Sequence, residues 1–215
     1  MSEELIDELV KLIEDNKLED LSLLLTQESQ DNAYVTLLKN SRYLVEPLKA
    51  ACLIPGRAQF IDLLVTAGTD VTSCSTTGYT AAHMAACWGV VPAMRALVRL
   101  GANLKAKTVY GETAEDIAQR YGQEEVLKFF KFLAFQQKFR DEISYARSIV
   151  LTPENFTGKL SKEEKTRITK VCDEKNSWLE ANYISANLLD VTEQRNDFKS
   201  KLNTVLEKVQ PLEQV

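Results

Sequence analysis

The chain reads as all-α: a solenoid of stacked helix pairs, about three repeats plus a degenerate N-terminal unit, followed by a small helical bundle. Three observations carry that reading. The stretch Gly78-Tyr79-Thr80-Ala81-Ala82-His83-Met84-Ala85-Ala86-Cys87-Trp88-Gly89 returns as Gly111-Glu112-Thr113-Ala114-Glu115-Asp116-Ile117-Ala118-Gln119-Arg120-Tyr121-Gly122 at a spacing of 33 residues, and a fixed period of that length marks a repeat array. Gly56 to Gly89 and Gly68 to Gly101 keep the same spacing. Beyond Val150 the apolar residues instead recur at three and four, the pattern of helices packed as a hairpin.

The elements follow in order. Leu5, Leu9, Leu12 and Ile13 share one helical stripe, and after Asp15-Asn16-Lys17 a second runs through Leu18, Leu21, Leu24 and Leu25, which predicts two short antiparallel helices. Asn16 stands where a turn glycine would serve. Residues 29–42 are polar around a short apolar piece and read as an elongated loop between repeats. The next unit starts at Glu46-Pro47-Leu48, turns at Pro55-Gly56 and runs an outer helix through Phe60, Ile61, Leu63, Leu64 and Val65 to Gly68. Glycine suits the turn positions because the chain leaves a helix there in a left-handed conformation that a Cβ penalises.

The 33-residue unit resembles the ankyrin repeat. In Thr80-x-x-His83 a hydroxyl and an imidazole can tie the first helical turn to the preceding hairpin, and Ala81, Ala82, Ala85 and Ala86 let neighbouring inner helices approach closely. His83 is on this reading a strut, since no nucleophile or metal ligand accompanies it in pattern. In the following unit Asp116 replaces the histidine and Ala114-Glu115 the usual Pro-Leu, while Ser75 and Thr108 stand where an aspartate often opens the repeat. Looser hairpins and a terminal position for the unit at 108–132 are expected.

Five of the eight phenylalanines crowd between Val126 and Phe139. Phe132, Phe135 and Phe139 share one helical face and Val126, Phe130 and Leu133 another, so this helix is expected to bury two sides. The domain organisation that follows is a repeat domain over 1–132 and a linker helix with a helical bundle over 133–215.

In the second half, Thr152-Pro153 reads as a helix cap followed by proline at the first helical position, and Ser161-Lys162-Glu163-Glu164 as a capping box. Ile168, Val171, Cys172, Trp178 and Leu179 make one stripe. After a break near Asn182, Leu188, Val191, Phe198, Leu202, Val205 and Val209 make another, interrupted by Arg195. Ser144-Tyr145-Ala146, Gly158-Lys159-Leu160-Ser161, Cys172 before Trp178-Leu179-Glu180-Ala181-Asn182, and Leu206-Glu207-Lys208-Val209 with Pro211 resemble the C-terminal helical lid of DnaK-type, seventy-kilodalton heat-shock chaperones. That likeness implies a helical bundle over about residues 139–212. The family's peptide-gripping sandwich and ATPase have no counterpart in the sequence, and the terminal Leu212-Glu213-Gln214-Val215 lacks the family's Glu-Glu-Val-Asp ending.

Bulk properties narrow the function classes. The net charge is −5 over 215 residues, with ten acids against Lys11 and Lys17 in residues 1–32. Elsewhere Lys and Arg are interleaved with acids, unlike the gathered base of a nucleic-acid binder. No apolar run reaches the roughly 18 to 20 residues that cross a bilayer, and Met1-Ser2-Glu3-Glu4 opens with acid, so no membrane association is expected and the cytosol or nucleus is. Cys52, Cys74, Cys87 and Cys172 form no Cys-x-x-Cys pair and the chain has one histidine, which argues against a zinc site and for buried reduced thiols, with Cys74 at an exposed loop tip. Gly158-Lys159-Leu160-Ser161 lacks the upstream glycine of a phosphate loop. No cofactor, metal, catalytic residue or small-molecule substrate is expected.

The function expected is therefore recognition by a non-enzymatic adaptor. Ankyrin arrays generally bind partners with hairpin tips and the exposed side of the inner helices. The family's variable positions fall here on Thr76, Thr77, Tyr79, Cys87 and Trp88 in one repeat and on Val109, Tyr110, Glu112, Arg120 and Tyr121 in the next. Tyr and Trp dominate interface hot spots, so these ten residues are the expected contact face for a protein partner. The alternative is a chaperone accessory that contacts clients or a heat-shock chaperone through the lid-like bundle.

Overall fold

The computed structural model describes residues 2–26, 45–151, 156–157, 160–183 and 185–211. Among the described residues ten helices run in chain order: α1 (Ser2–Glu14), α2 (Leu18–Thr26), α3 (Val45–Leu53), α4 (Ala58–Thr66), α5 (Ala81–Cys87), α6 (Val91–Arg99), α7 (Ala114–Arg120), α8 (Glu124–Leu151), α9 (Lys162–Ala181) and α10 (Leu188–Leu206). A two-residue antiparallel ribbon joins β1 (Phe156–Thr157) to β2 (Gln210–Pro211), with Phe156 opposite Pro211. The chain divides into two compact units, Met1–Phe130 and Lys131–Val215. Helix α8 belongs to both.

In the first unit α1, α3, α5 and α7 pack in series as inner helices, with α2, α4 and α6 outside them. Small residues explain the closeness: Ala81, Ala82, Ala85 and Ala86 of α5 and Ala114 and Ala118 of α7 are buried where α5 meets its neighbours. Larger side chains, Leu9, Ile13, Leu21, Leu48, Phe60, Ile61, Leu64, Met94, Leu97 and Ile117, fill the layer between inner and outer helices and are wholly or almost wholly buried. Each such burial contributes roughly 1.5 to 3 kcal/mol.

Helix ends match their local chemistry. Asn16 adopts φ 59° between α1 and α2, the left-handed turn for which the sequence offered no glycine. Pro92 sits in the first turn of α6, where its missing N–H leaves no gap in the ladder. The terminal repeat unit is anchored by Thr113 and Asp116, which cap α7 reciprocally: the Asp116 carboxylate accepts from the Thr113 N–H at 2.8 Å, and the Thr113 hydroxyl accepts from the Asp116 N–H at 3.3 Å. Arg57, just before α4, donates to the carbonyls of Ile13 at 2.8 Å and Glu14 at 3.1 Å. Those carbonyls close α1 and have no partner within the helix, so this guanidinium binds the degenerate N-terminal helix pair to the repeat that follows it. The loop expected at 29–42 lies outside the described residues.

The second unit is a helical assembly around the α9–α10 hairpin. Ile168, Val171, Cys172 and Leu179 of α9 and Val191, Phe198, Leu202 and Val205 of α10 are buried. Phe198 meets Phe139 of α8 edge to face, ring centroids 5.6 Å apart. The Ser161 capping box forms as expected, Ser161 N–H to Glu164 at 2.8 Å and Glu164 N–H to the Ser161 hydroxyl at 3.1 Å. Two expectations need correction. Leu188 is the first residue of α10 and half-exposed, so it lies outside the hairpin seam. Its turn is held by a second capping box, Asn187 with Asp190, so the start of α10 is closed without burial of Leu188. The cap at Thr152-Pro153 falls outside the described residues, and Phe156 and Thr157 beyond it pair as β1 instead of continuing a helix.

Candidate functional site

The ten residues expected to meet a partner belong to two hairpins and to the C-terminal ends of α5 and α7. Both hairpins are closed tightly, contrary to the loosening expected from Ser75 and Thr108. Ser75 N–H donates to the Tyr79 carbonyl at 2.9 Å, and the Tyr79 N–H donates to the Ser75 hydroxyl at 3.1 Å. Thr108 repeats this, its N–H donating to the Glu112 carbonyl at 2.9 Å and its hydroxyl accepting from the Glu112 N–H at 3.4 Å. A hydroxyl thus takes the acceptor role an aspartate would have held.

Adjacent hairpins are stitched tip to tip. The Val109 N–H donates to the Thr77 carbonyl at 3.1 Å. A Cβ on Gly78 would lie 3.0 Å from the Thr108 Cα, so only glycine, here at φ 78°, lets the two backbones come this close.

His83 is completely buried beneath these hairpins. Its Nδ1 accepts from the Thr80 N–H at 3.1 Å and sits 2.9 Å from the Thr80 hydroxyl. Nε2 then carries the proton and reaches the Glu112 carbonyl at 3.3 Å. The strut is therefore tied at Thr80 to the preceding hairpin, as the sequence suggested, and through Glu112 to the following repeat's hairpin as well. Burial pushes its pKa below the ordinary histidine value, against the pull of the Glu112 and Ala106 carbonyls and the Glu112 carboxylate, and keeps the ring neutral as the tautomer demands.

Tyr79 packs its ring edgewise on His83, centroids 5.8 Å apart, and is half-buried. Arg120 collects the neighbouring polar groups: it bonds the Tyr79 side chain, which does most to raise its pKa, and pairs with Glu112 at 3.2 Å. Its guanidinium also lies 5.0 Å from the centre of the Tyr121 ring. Thr76 and Thr77 are exposed at the first hairpin tip, and Cys87 is half-buried at the end of α5. Four large side chains stand into solvent: Trp88 is 61% exposed, Val109 64%, Tyr110 72% and Tyr121 55%.

Sequence reading missed Gln123, whose amide Nε2 donates to the Cys87 carbonyl at 2.7 Å and joins the ends of α5 and α7. The signal was its place directly after the turn glycine Gly122, where the preceding repeat has Val90. Also missed was Lys175 in the second unit, 2% exposed, its ammonium 2.6 Å from Asp197 and 2.7 Å from the Gln194 amide oxygen. It lies on the Ile168–Leu179 stripe, at a position the apolar pattern passes over.

The thiols fall as their surroundings dictate. Burial pushes Cys52 up to about 12 and Cys172 up to about 11, which leaves both protonated and inert, while Cys74 is exposed. Among the described residues no three His, Cys, Asp or Glu side chains converge in a way that could hold a metal ion, and no helix is long and apolar enough to cross a membrane.

Comparison with known proteins agrees with this geometry. Residues 48–138 match the family described as ankyrin repeats in three copies. An ankyrin repeat domain-containing protein 45 of Danio rerio is 32% identical over 132 residues, 61% of this chain and 58% of that protein. Its namesake of Homo sapiens is 32% identical over 162 residues, 75% of this chain and 60% of that protein. The chain thus spans about three fifths of the length of the curated relatives it matches. The potassium channel AKT1 of Arabidopsis thaliana is 27% identical over 112 residues, 52% of this chain and 13% of the channel.

Proposed function

We propose, on the match of residues 48–138 to ankyrin repeats, a non-enzymatic adaptor that holds a protein partner on the face made by Thr76, Thr77, Tyr79, Cys87, Trp88, Val109, Tyr110, Glu112, Arg120 and Tyr121. The observation that carries this reading is the exposure of Trp88, Tyr110 and Tyr121, each more than half open to solvent, on hairpins and helix ends locked by hydrogen bonds. Exposed aromatic side chains clustered on a rigid scaffold provide much contact area at little cost in rotamer entropy. Tyr79 contributes differently. Its ring rests on His83 and its hydroxyl on Arg120, so it holds the guanidinium in place for the partner.

The test is calorimetric titration of the authentic partner against Trp88→Ala and Tyr110→Ala. Each substitution weakens binding by roughly 1 to 4 kcal/mol while helicity and unfolding midpoint are retained. Unchanged affinity in both variants would remove the assignment.

A second reading, that the lid-like second unit assists a chaperone or contacts clients, is favoured by Leu188 and Leu189, 48% and 66% exposed beside the Asn187 cap. It predicts that the full chain suppresses aggregation of a denatured test protein and that Leu188→Ser with Leu189→Ser abolishes this. A chain that offers no protection ends that reading.

A further inference from the structure

We propose that the aromatic face takes an extended, uncharged, proline-rich segment of its partner in the polyproline II conformation. The inference rests on the adaptor reading and deepens it. The rings that stand into solvent, Trp88, Tyr110 and Tyr121, each combine a flat apolar body with one polar tip that donates a hydrogen bond. A polyproline II segment makes no hydrogen bonds within itself, so its carbonyls are available to such donors while its pyrrolidine rings lie flat on aromatic faces.

Charge points the same way. Of the ten residues only Glu112 and Arg120 are charged, and they neutralise each other at 3.2 Å, with the Tyr79 side chain as a further partner of the guanidinium. A segment bearing a net charge would find no countercharge among them. An uncharged one matches the face.

Spacing supplies the register. Trp88 and Tyr121 are equivalent positions in consecutive repeats, one residue after the last of α5 and of α7, and these inner helices pack directly against each other. Packed helices lie roughly 8 to 10 Å apart, and one turn of polyproline II, three residues at 3.1 Å each, advances about 9 Å. Residues i and i+3 of such a segment therefore meet Trp88 and Tyr121 in turn, which is the pattern Pro-x-x-Pro.

The other common ways of binding a peptide fit less well. Strand addition needs a free edge of several residues, whereas the hairpins at 75–79 and 108–112 are tight turns, and among the described residues the hairpin region carries a single ladder bridge, Cys74 to Thr80. A helix laid in a groove needs a row of aliphatic anchors. The face offers one, Val109.

The experiment titrates the full chain with synthetic decapeptides containing Pro-x-x-Pro with uncharged x, with the same peptides carrying alanine at both prolines, and with an amphipathic helical peptide. A Pro-x-x-Pro peptide binds, its alanine counterpart binds at least about tenfold more weakly, and Trp88→Ala and Tyr121→Ala each lose about tenfold or more. The dissociation constant changes less than about twofold between roughly 0.05 and 0.5 M salt, because no ion pair crosses the interface.

Binding that survives loss of both prolines, preference for the helical peptide, or no binding by any peptide overturns the proposal. So does self-association in sedimentation velocity that Trp88→Ala abolishes, which would make a second copy the occupant. A photo-reactive phenylalanine analogue at position 109 separates the two levels of failure. Cross-links in cells to a partner segment without prolines leave the adaptor standing and remove the polyproline reading; no cross-links together with no peptide binding remove both.

Discussion

The side chain of Gln123 spans a repeat boundary to the backbone of Cys87, donating at 2.7 Å to a carbonyl that ends the inner helix α5. The same amide runs over Gly89: a Cβ built there would lie 2.3 Å from the Gln123 Oε1 and 2.9 Å from its Cδ. Gly89 also sits at φ 73°, in the left-handed region. Two constraints thus meet at one glycine, and they can be separated.

Gly101 provides the control, since it has φ 88° and nothing within 4 Å of a built Cβ. Gly101→Ala should cost about 1 kcal/mol, the strain of the left-handed backbone alone. Gly89→Ala should cost about 2 to 3 kcal/mol, because the amide must also leave Cys87. In a Gln123→Ala background the cost of Gly89→Ala should fall to that of Gly101→Ala. Urea unfolding of the four variants measures it as a double-mutant cycle.

His83 gives the array a pH dependence with a defined sign. Its folded pKa lies below the ordinary 6.5 because burial disfavours the charged ring, so the unfolded chain binds the proton more readily. Stability from this group is complete above about pH 6.5 and is lost as the pH falls from there through the folded value. It is the one histidine in the chain. Unfolding free energy measured between about pH 7.5 and 5.5 should decline, and His83→Gln, which cannot titrate, should flatten the decline.

Lys175 tests what a buried cation contributes to the second unit. Its ammonium reaches Asp197 at 2.6 Å and Glu174 at 3.3 Å, and both carboxyls are held below their usual pKa first of all by that hydrogen bond. Replacing a buried charge by an apolar chain of similar shape is often neutral, whereas truncation leaves a cavity. Lys175→Met should therefore change stability by less than about 1 kcal/mol and Lys175→Ala should destabilise by about 2 to 4 kcal/mol, both read from denaturant unfolding.

Arg57 is the clasp of the first helix pair. Arg57→Ala removes donors from the Ile13 and Glu14 carbonyls and should cost about 1 to 3 kcal/mol. Hydrogen exchange locates the loss: amides of α1 and α2 should speed up while those of α5 and α7 keep their protection.

Much of the molecule is legible in the amino-acid sequence. Helices α3 to α7 follow from the spacing of Gly56, Gly68, Gly89, Gly101 and Gly122, all found at positive φ, since leaving a helix in that conformation excludes most other residues locally. The two-sided burial expected around Val126 and Phe139 is seen in their complete removal from solvent. The ten residues proposed for partner contact could be chosen from the sequence as positions, but their exposures could not. Trp88 and Tyr79 looked alike in sequence, yet the first is 61% exposed and the second rests against His83.

What the order of residues determined alone was periodic and local: the repeat, the turns, the capping boxes and the stripe each helix buries. Folding decided where polar groups with distant partners came to rest. Lys175 is buried because Gln194 and Asp197 arrive from another helix. Arg195 interrupts the α10 seam without harm because Glu142 of α8 accepts from its Nε at 2.8 Å and the Phe135 ring lies 5.1 Å from its guanidinium. Gln123 and Arg57 become clasps only once a neighbouring helix presents a carbonyl end. Periodicity reports which side of a helix avoids water; a hydrogen-bond partner tens of residues away leaves no mark in that average, so only the packed chain can specify it.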